Sequence, residues 1–125
     1  MRKDDTDYTV YTIAFRDGKF LMVWNRKRKG WEMPGGHIRV KESDTEAAKR
    51  EFLEEAGYAV DVIDIRDIGS CMVCAAFLGD KYDMGCEMKS EMFDSLPEEL
   101  SFPRKEYEET VPWARRTLYG CTKSE

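Results

Sequence analysis

No apolar run in the sequence approaches the roughly 20 residues that a membrane-crossing helix needs. The opening stretch, MRKDDTDYTV, has charges with no hydrophobic segment behind them, so it does not read as a secretory signal. A cytoplasmic location with no membrane partner is the expectation. Excess positive charge is also missing. The net charge is −5, which excludes a broad nucleic-acid footprint and a stable nucleic-acid partner. Repeats, low-complexity tracts and linkers are absent, and 125 residues suit a single domain over 1–125. Cysteine occurs four times, at Cys71, Cys74, Cys86 and Cys121. Cys71 and Cys74 form a CxxC, but SCMVCAAFL is apolar and lacks flanking Gly or His ligands. Free thiols in a buried strand are the expected reading, over a zinc or redox site.

Acid is what the sequence does concentrate. Glu51, Glu54 and Glu55 lie at i, i+3, i+4, so on a helix they share one face. Like charges one turn apart cost an isolated helix about 0.2–0.5 kcal/mol. Crowding of this kind suits a divalent cation, which takes several carboxylate oxygens at once. The helix is well specified. Ser43 and Glu46 form a capping box. Ala48, Phe52 and Ala56 make an apolar stripe, and Gly57 suits a left-handed end. Upstream, Gly35 and Gly36 permit a tight backbone path that brings carbonyl oxygens near a metal or a phosphate.

Around this centre, Tyr8 to Phe15 and Lys19 to Asn25 read as strands joined by an Asp17-Gly18 turn. Pro34 ends any ladder near Trp31, and His37 to Val40 reads as a short extended piece. Tyr58 to Ile68 reads as a strand with a bulge near Val62-Ile63, and Ser70 to Leu78 as a strand apolar on both sides. Gly79 to Gly85 reads as a turn, Cys86 to Phe93 as a further strand, and residues 96–100 as a short helical turn. Pro103 to Leu118 repeats Tyr107, Val111, Ala114 and Leu118 at helical spacing, with Pro112 as a kink. This order suggests an α+β or mixed α/β layered fold.

Gly36, Glu42, Arg50-Glu51, Glu54-Glu55 and Gly57, at their spacings, resemble the Nudix box, which covers about a fifth of the chain. Two positions depart from it: Tyr58 replaces an aliphatic residue, and Lys41 replaces a glycine common before the glutamate. The resemblance implies an α/β/α sandwich with a mixed central sheet. It also implies a magnesium-dependent hydrolase, manganese substituting, that cuts a phosphoanhydride in a nucleoside diphosphate linked to a further group. The tail FDSLPEELSF resembles MutT-like proteins, which implies (d)NTP cleavage to a monophosphate and pyrophosphate. ADP-ribose and RNA 5′ ends are alternative substrates, and a non-catalytic nucleotide-binding module is the alternative of another class.

By the same resemblance, Glu51, Glu54 and Glu55 hold metal, with the Gly35 carbonyl and Glu87 as further ligands. Arg50 orients a box glutamate, and Glu42 supports the loop or the outer metal shell. The general base comes from the box or from Glu91, preferred over Glu87. Arg26 and Arg28 are candidate phosphate contacts, with a solvated basic loop as the other reading. Trp24, Trp31, Phe102 and Trp113 could stack on a base or pack in the core, and Tyr8 and Tyr11 share that ambiguity. His37, the lone histidine, could reach a phosphate, with a non-catalytic place after Gly-Gly as the leading reading. Many relatives pair, so a homodimer is among the expected states.

Overall fold

The computed structural model describes residues 8–82, 85–86 and 88–120. Strands β1 (Thr9–Arg16) and β2 (Lys19–Asn25) form a hairpin. Its turn is Asp17-Gly18, with φ of +52° and +80°. Two successive positive φ values give the turn the twist that flanking strands require.

The hairpin then opens. β1 and β2 share only the pairs Phe15–Phe20 and Arg16–Lys19. Beyond them β2 pairs with β3 (Gly30–Glu32), and β1 pairs with β4 (Gly35–His37). Pro34, which has no N–H to donate, sits between these two short strands, and its carbonyl accepts from the Thr12 N–H at 3.0 Å. The extended piece expected at His37 to Val40 therefore begins earlier, at Gly35.

α1 (Asp44–Ala56) begins at Ser43 with both capping-box bonds in place and ends at Gly57, with φ +80°. β5 (Tyr58–Asp67) and β6 (Met72–Lys81) are antiparallel, with register shifts at Tyr58/Val60 and Val62/Asp64, the second where a bulge was expected. β6 runs parallel to β1 over Val10 to Phe15. β7 (Lys89–Phe93) covers the other edge of β2, and α2 (Arg104–Tyr119) closes the chain. The result is one mixed seven-stranded sheet.

The two helices take opposite faces, because strand residues alternate in direction. Ile13, Phe15, Phe20, Met22, Val73 and Ala75 pack with Tyr107, Val111 and Ala114 of α2. Ala14, Leu21, Val23 and Ala76 pack with Phe52 and Ala56 of α1. Cys71 and Cys74 are free and buried. Burial pushes their thiols up to about 11 and about 12 respectively, so both stay protonated and act as small apolar groups. No described helix is long and apolar enough to cross a membrane.

Two local expectations are corrected. Gly79 to Lys81 extends β6, because Tyr58 continues the pairing out to Lys81. Residues 96–100 form no helical turn; bends lead to a parallel bridge between Leu100 and Trp31. The Trp31 N–H donates to the Glu99 carbonyl at 2.7 Å, and the Ser101 N–H to the Trp31 carbonyl at 3.0 Å. The open edge of β3 thus recruits the segment as a strand, and tertiary pairing overrides the local helical preference.

Candidate active site

Arg50 is the hub of the acidic helix. Its Nε and Nη2 donate to the two oxygens of Glu42 at 2.7 and 3.0 Å. Its Nη1 donates to Glu51 Oε2 at 3.0 Å and to Glu54 Oε1 at 3.4 Å, and its Nη2 also reaches the His37 carbonyl at 3.0 Å. One planar guanidinium therefore ties the loop before the helix to two box acids, a geometry its forked donors suit and a lysine would not. The Arg50 hydrogen bonds hold the Glu42 carboxyl down to about 2, and Glu42 in turn raises Arg50. Glu42 also accepts from the Arg39 N–H at 3.0 Å, so it anchors the loop while it holds Arg50.

The remaining acids meet β4. Glu55 Oε1 accepts from the Gly35 N–H at 3.1 Å. A Cβ built on Gly36 would overlap the Glu51 carboxylate, and one on Gly35 would overlap the Val10 carbonyl and the Tyr11 Cα. Neither glycine has a positive φ. Close approach, rather than an unusual backbone angle, is what requires them. Glu51 and Glu55 are hard oxygen donors set against this backbone, with Glu54 joined to Glu51 through Arg50, a donor set that fits magnesium or manganese. Among the described residues no three His, Cys, Asp or Glu side chains already form a metal cage; the cation lying between Glu51 and Glu54 here is Arg50. Glu87 lies outside the described residues.

β4 also forms a wall of a cleft of about 490 Å³, lined among others by Arg28, Glu32, Phe102, Glu106 and Tyr107. Arg28 Nε and Nη2 donate to Glu32 Oε2 and Oε1, both at 3.1 Å, and its guanidinium lies 5.0 Å from the Phe102 ring centre. The Glu32 hydrogen bonds raise Arg28. The Tyr11 hydroxyl donates to Glu106 Oε2 at 2.9 Å, and the Met33 N–H donates to the Tyr107 hydroxyl at 3.1 Å. Burial raises both tyrosines, so their hydroxyls stay protonated.

The other candidates are dispersed. Arg26 is exposed in the β2–β3 turn. Trp31 is buried, its ring 5.3 Å from Trp24 and 5.0 Å from Phe93. Trp113 packs on the α2 side of the sheet with Arg66 over it at 5.6 Å. Neither Trp31 nor Trp113 lines the cleft. Glu91 pairs with Met22 on β7 and so projects on the α2 face, whereas the box acids come from α1 on the other. Sequence reasoning missed Glu32 and Glu106. An acid between Trp31 and Met33 was the available sign for Glu32; nothing at helical spacing distinguished Glu106 from its exposed neighbours.

The family model for the NUDIX domain matches residues 6–115. The chain belongs to the Nudix family. Its box, Gly36 to Tyr58, is the loop and helix just described. A Bacillus subtilis protein, provisionally named an 8-oxo-dGTP diphosphatase, is 43% identical over 35% of this Nudix chain and 36% of its own length. A Lactococcus lactis protein, provisionally named a DHNTP pyrophosphohydrolase, is 32% identical over 43% of this chain and 32% of its own. The chain thus spans about a third of these two curated relatives, and 19% of a Caenorhabditis elegans protein provisionally named nudix hydrolase 1. Among solved structures, the Bacillus subtilis pyrophosphohydrolase BsRppH superposes with a TM-score of 0.65 at 23% identity, covering 100% of this chain and 89% of that one. A Streptococcus suis ADP-ribose pyrophosphatase does so at 0.68 and 20% identity, covering 94% of each. At these identities the superpositions establish the Nudix fold.

Proposed function

We propose that this chain is a divalent-metal-dependent pyrophosphohydrolase that cuts (d)NTPs to a monophosphate and pyrophosphate. The observation that carries the reading is Glu51 and Glu55 set against Gly36 and Gly35, with Glu54 tied to Glu51 through Arg50, and a cleft lined by the same glycine strand. The names of the two bacterial relatives, both for triphosphate-cleaving enzymes, support it. Glu51 and Glu55 would hold magnesium, with Glu54 and the Gly35 backbone beside them. Bound there, the ion supplies neutralisation of phosphate oxygens and a more acidic water.

The chain's own groups do the rest. Arg50 keeps Glu51 and Glu54 in register. Glu54 is the most exposed of its three partners, at 41%, and is the base we favour because solvent water reaches it. Glu91 projects on the α2 face, away from the acids of α1.

Glu54→Gln and Glu55→Gln should each lower turnover by orders of magnitude at saturating magnesium, with unfolding midpoints close to the parent. Near-parental hydrolysis by both variants would refute the assignment. A nucleotide panel with magnesium, manganese or EDTA, its products separated, shows which bond breaks; nucleotide binding without release would instead indicate a non-catalytic module.

A further inference from the structure

We propose that the outer edge of β5 pairs antiparallel with β5 of a second copy of this chain, about a two-fold axis between Ile63 and Asp64. Such a pairing does not depend on the nucleotide-hydrolase reading.

β5 is an end strand. The order β3-β2-β1-β6-β5 leaves its outer side without a strand among the described residues. It is 10 residues long, and an open edge of that length is a template for another strand. Its charged side chains are Asp61, Asp64, Arg66 and Asp67. Two of them are engaged locally. Asp64 accepts from the Ile65 N–H at 2.9 Å, and Asp67 accepts from the Tyr8 hydroxyl and the Gly69 N–H. The other two are exposed and carry opposite signs. Among the described residues Asp61 has no hydrogen-bond or ion-pair partner, and Arg66 has no carboxylate partner, its guanidinium lying over the Trp113 ring. They are too far apart to serve each other. Their partners on β6, Phe77 and Val73, stand four residues apart, about 13 Å of strand.

The bulge is what makes these two charges fit a second copy. In a regular strand, Asp61 and Arg66 would point to opposite faces. The register shift between Val62 and Asp64 inserts one residue. Asp61 and Arg66 therefore both sit on the α2 side, opposite Phe77 and Val73, and Val62 and Ile65 both sit on the α1 side, opposite Ala76 and Cys74. A two-fold axis between Ile63 and Asp64 then sets Asp61 against Arg66 of the second copy, and Arg66 against its Asp61. On the other face Val62 meets Ile65 twice. Opposite charges and β-branched pairs directly across an antiparallel ladder are what stabilise it. Ile63, an apolar side chain 48% exposed, lies at the axis, where its own copy covers it. Other registers lose this match. An axis on Asp64 opposes that acid to itself and Asp61 to Asp67. An axis on Ile63 sets Asp61 against Ile65 and Arg66 against Val60. An axis on Ile65 gives Arg66 only the engaged Asp64 and leaves Asp61 opposite Gly69, beyond the strand's end.

Sedimentation velocity over a concentration series tests the pairing. The parent should move from 14.6 kDa toward twice that mass as concentration rises. Asp61→Arg and Arg66→Asp should each stay monomeric at concentrations where the parent is paired, because each sets like charges across the axis twice. An equimolar mixture of the two variants should regain the paired mass, since both cross-strand contacts then join opposite charges. A variant that had merely lost its fold would give no such rescue, and unfolding midpoints near the parent's are expected for these exposed positions. Amide exchange in the parent reads the strand without any substitution, and β5 should exchange more slowly at the concentrations that pair it. A parent at 14.6 kDa throughout overturns the proposal and leaves the bulge and the acids as guards of a lone edge. A paired mass that survives both charge reversals also overturns it, placing the contact on another face. So does a mixture that stays monomeric, or β5 exchange that ignores concentration.

Discussion

Single residues at the box do separable jobs. Gly35 abuts backbone and Gly36 abuts a side chain. Gly35→Ala must therefore push β1 and β4 apart and should cost about 1–3 kcal/mol in urea unfolding. Gly36→Ala can be accommodated by displacing Glu51, so it should lose activity out of proportion to stability. Lys41 shows why a glycine is common at its position: it has φ +71°. Lys41→Gly should stabilise the chain by about 1 kcal/mol, read as a higher urea midpoint. Tyr58, the other departure from the family pattern, lies between Arg16 at 5.8 Å and Lys81 at 5.7 Å, a setting in which an aliphatic side chain would forfeit two cation contacts. Glu42 supplies a pH signature. Its folded pKa of about 2 lies below the unfolded value near ~4.3. The stability it contributes is therefore complete above about pH 4.3 and is lost as pH falls toward about 2. Glu42→Gln should flatten that acid limb in urea midpoints measured across this window.

At the scale of elements, α2 carries a proline inside its length, Pro112. The ring removes the N–H that would meet the Glu108 carbonyl, and both residues face solvent. Pro112→Ala should raise stability, by up to about 3 kcal/mol in denaturant titration. The elements differ in how far the sequence revealed them. α1 was legible to the residue, because Ser43, Glu46 and Gly57 are local signals whose bonds close within the helix itself. β2 was legible because its turn chemistry is local as well. The strand made by Leu100 against Trp31 was not, since its partner lies about seventy residues away and the pairing leaves no periodic mark. The site divides the same way. The three acids share a helix face by their spacing and Arg50 came with the Nudix resemblance, while the Arg28–Glu32 and Tyr11–Glu106 contacts arise only in the folded chain.

For the whole molecule, ligand linkage gives a further check. A slowly hydrolysed nucleotide analogue with magnesium at about 100 times its Kd should stabilise the fold by about 2.7 kcal/mol. EDTA should remove most of that thermal shift, and Glu55→Gln should reduce it. The opened hairpin has a last consequence. Because β1 and β2 part after two pairs, the short glycine strand in the gap meets the α1 acids on one flank and lines the cleft on the other. On the proposed reading, changes on α2 should alter the cleft without disturbing the acids, whereas changes on that strand should alter both at once. Such a layout lets descendants of one scaffold diversify in diet while inheriting the same blade.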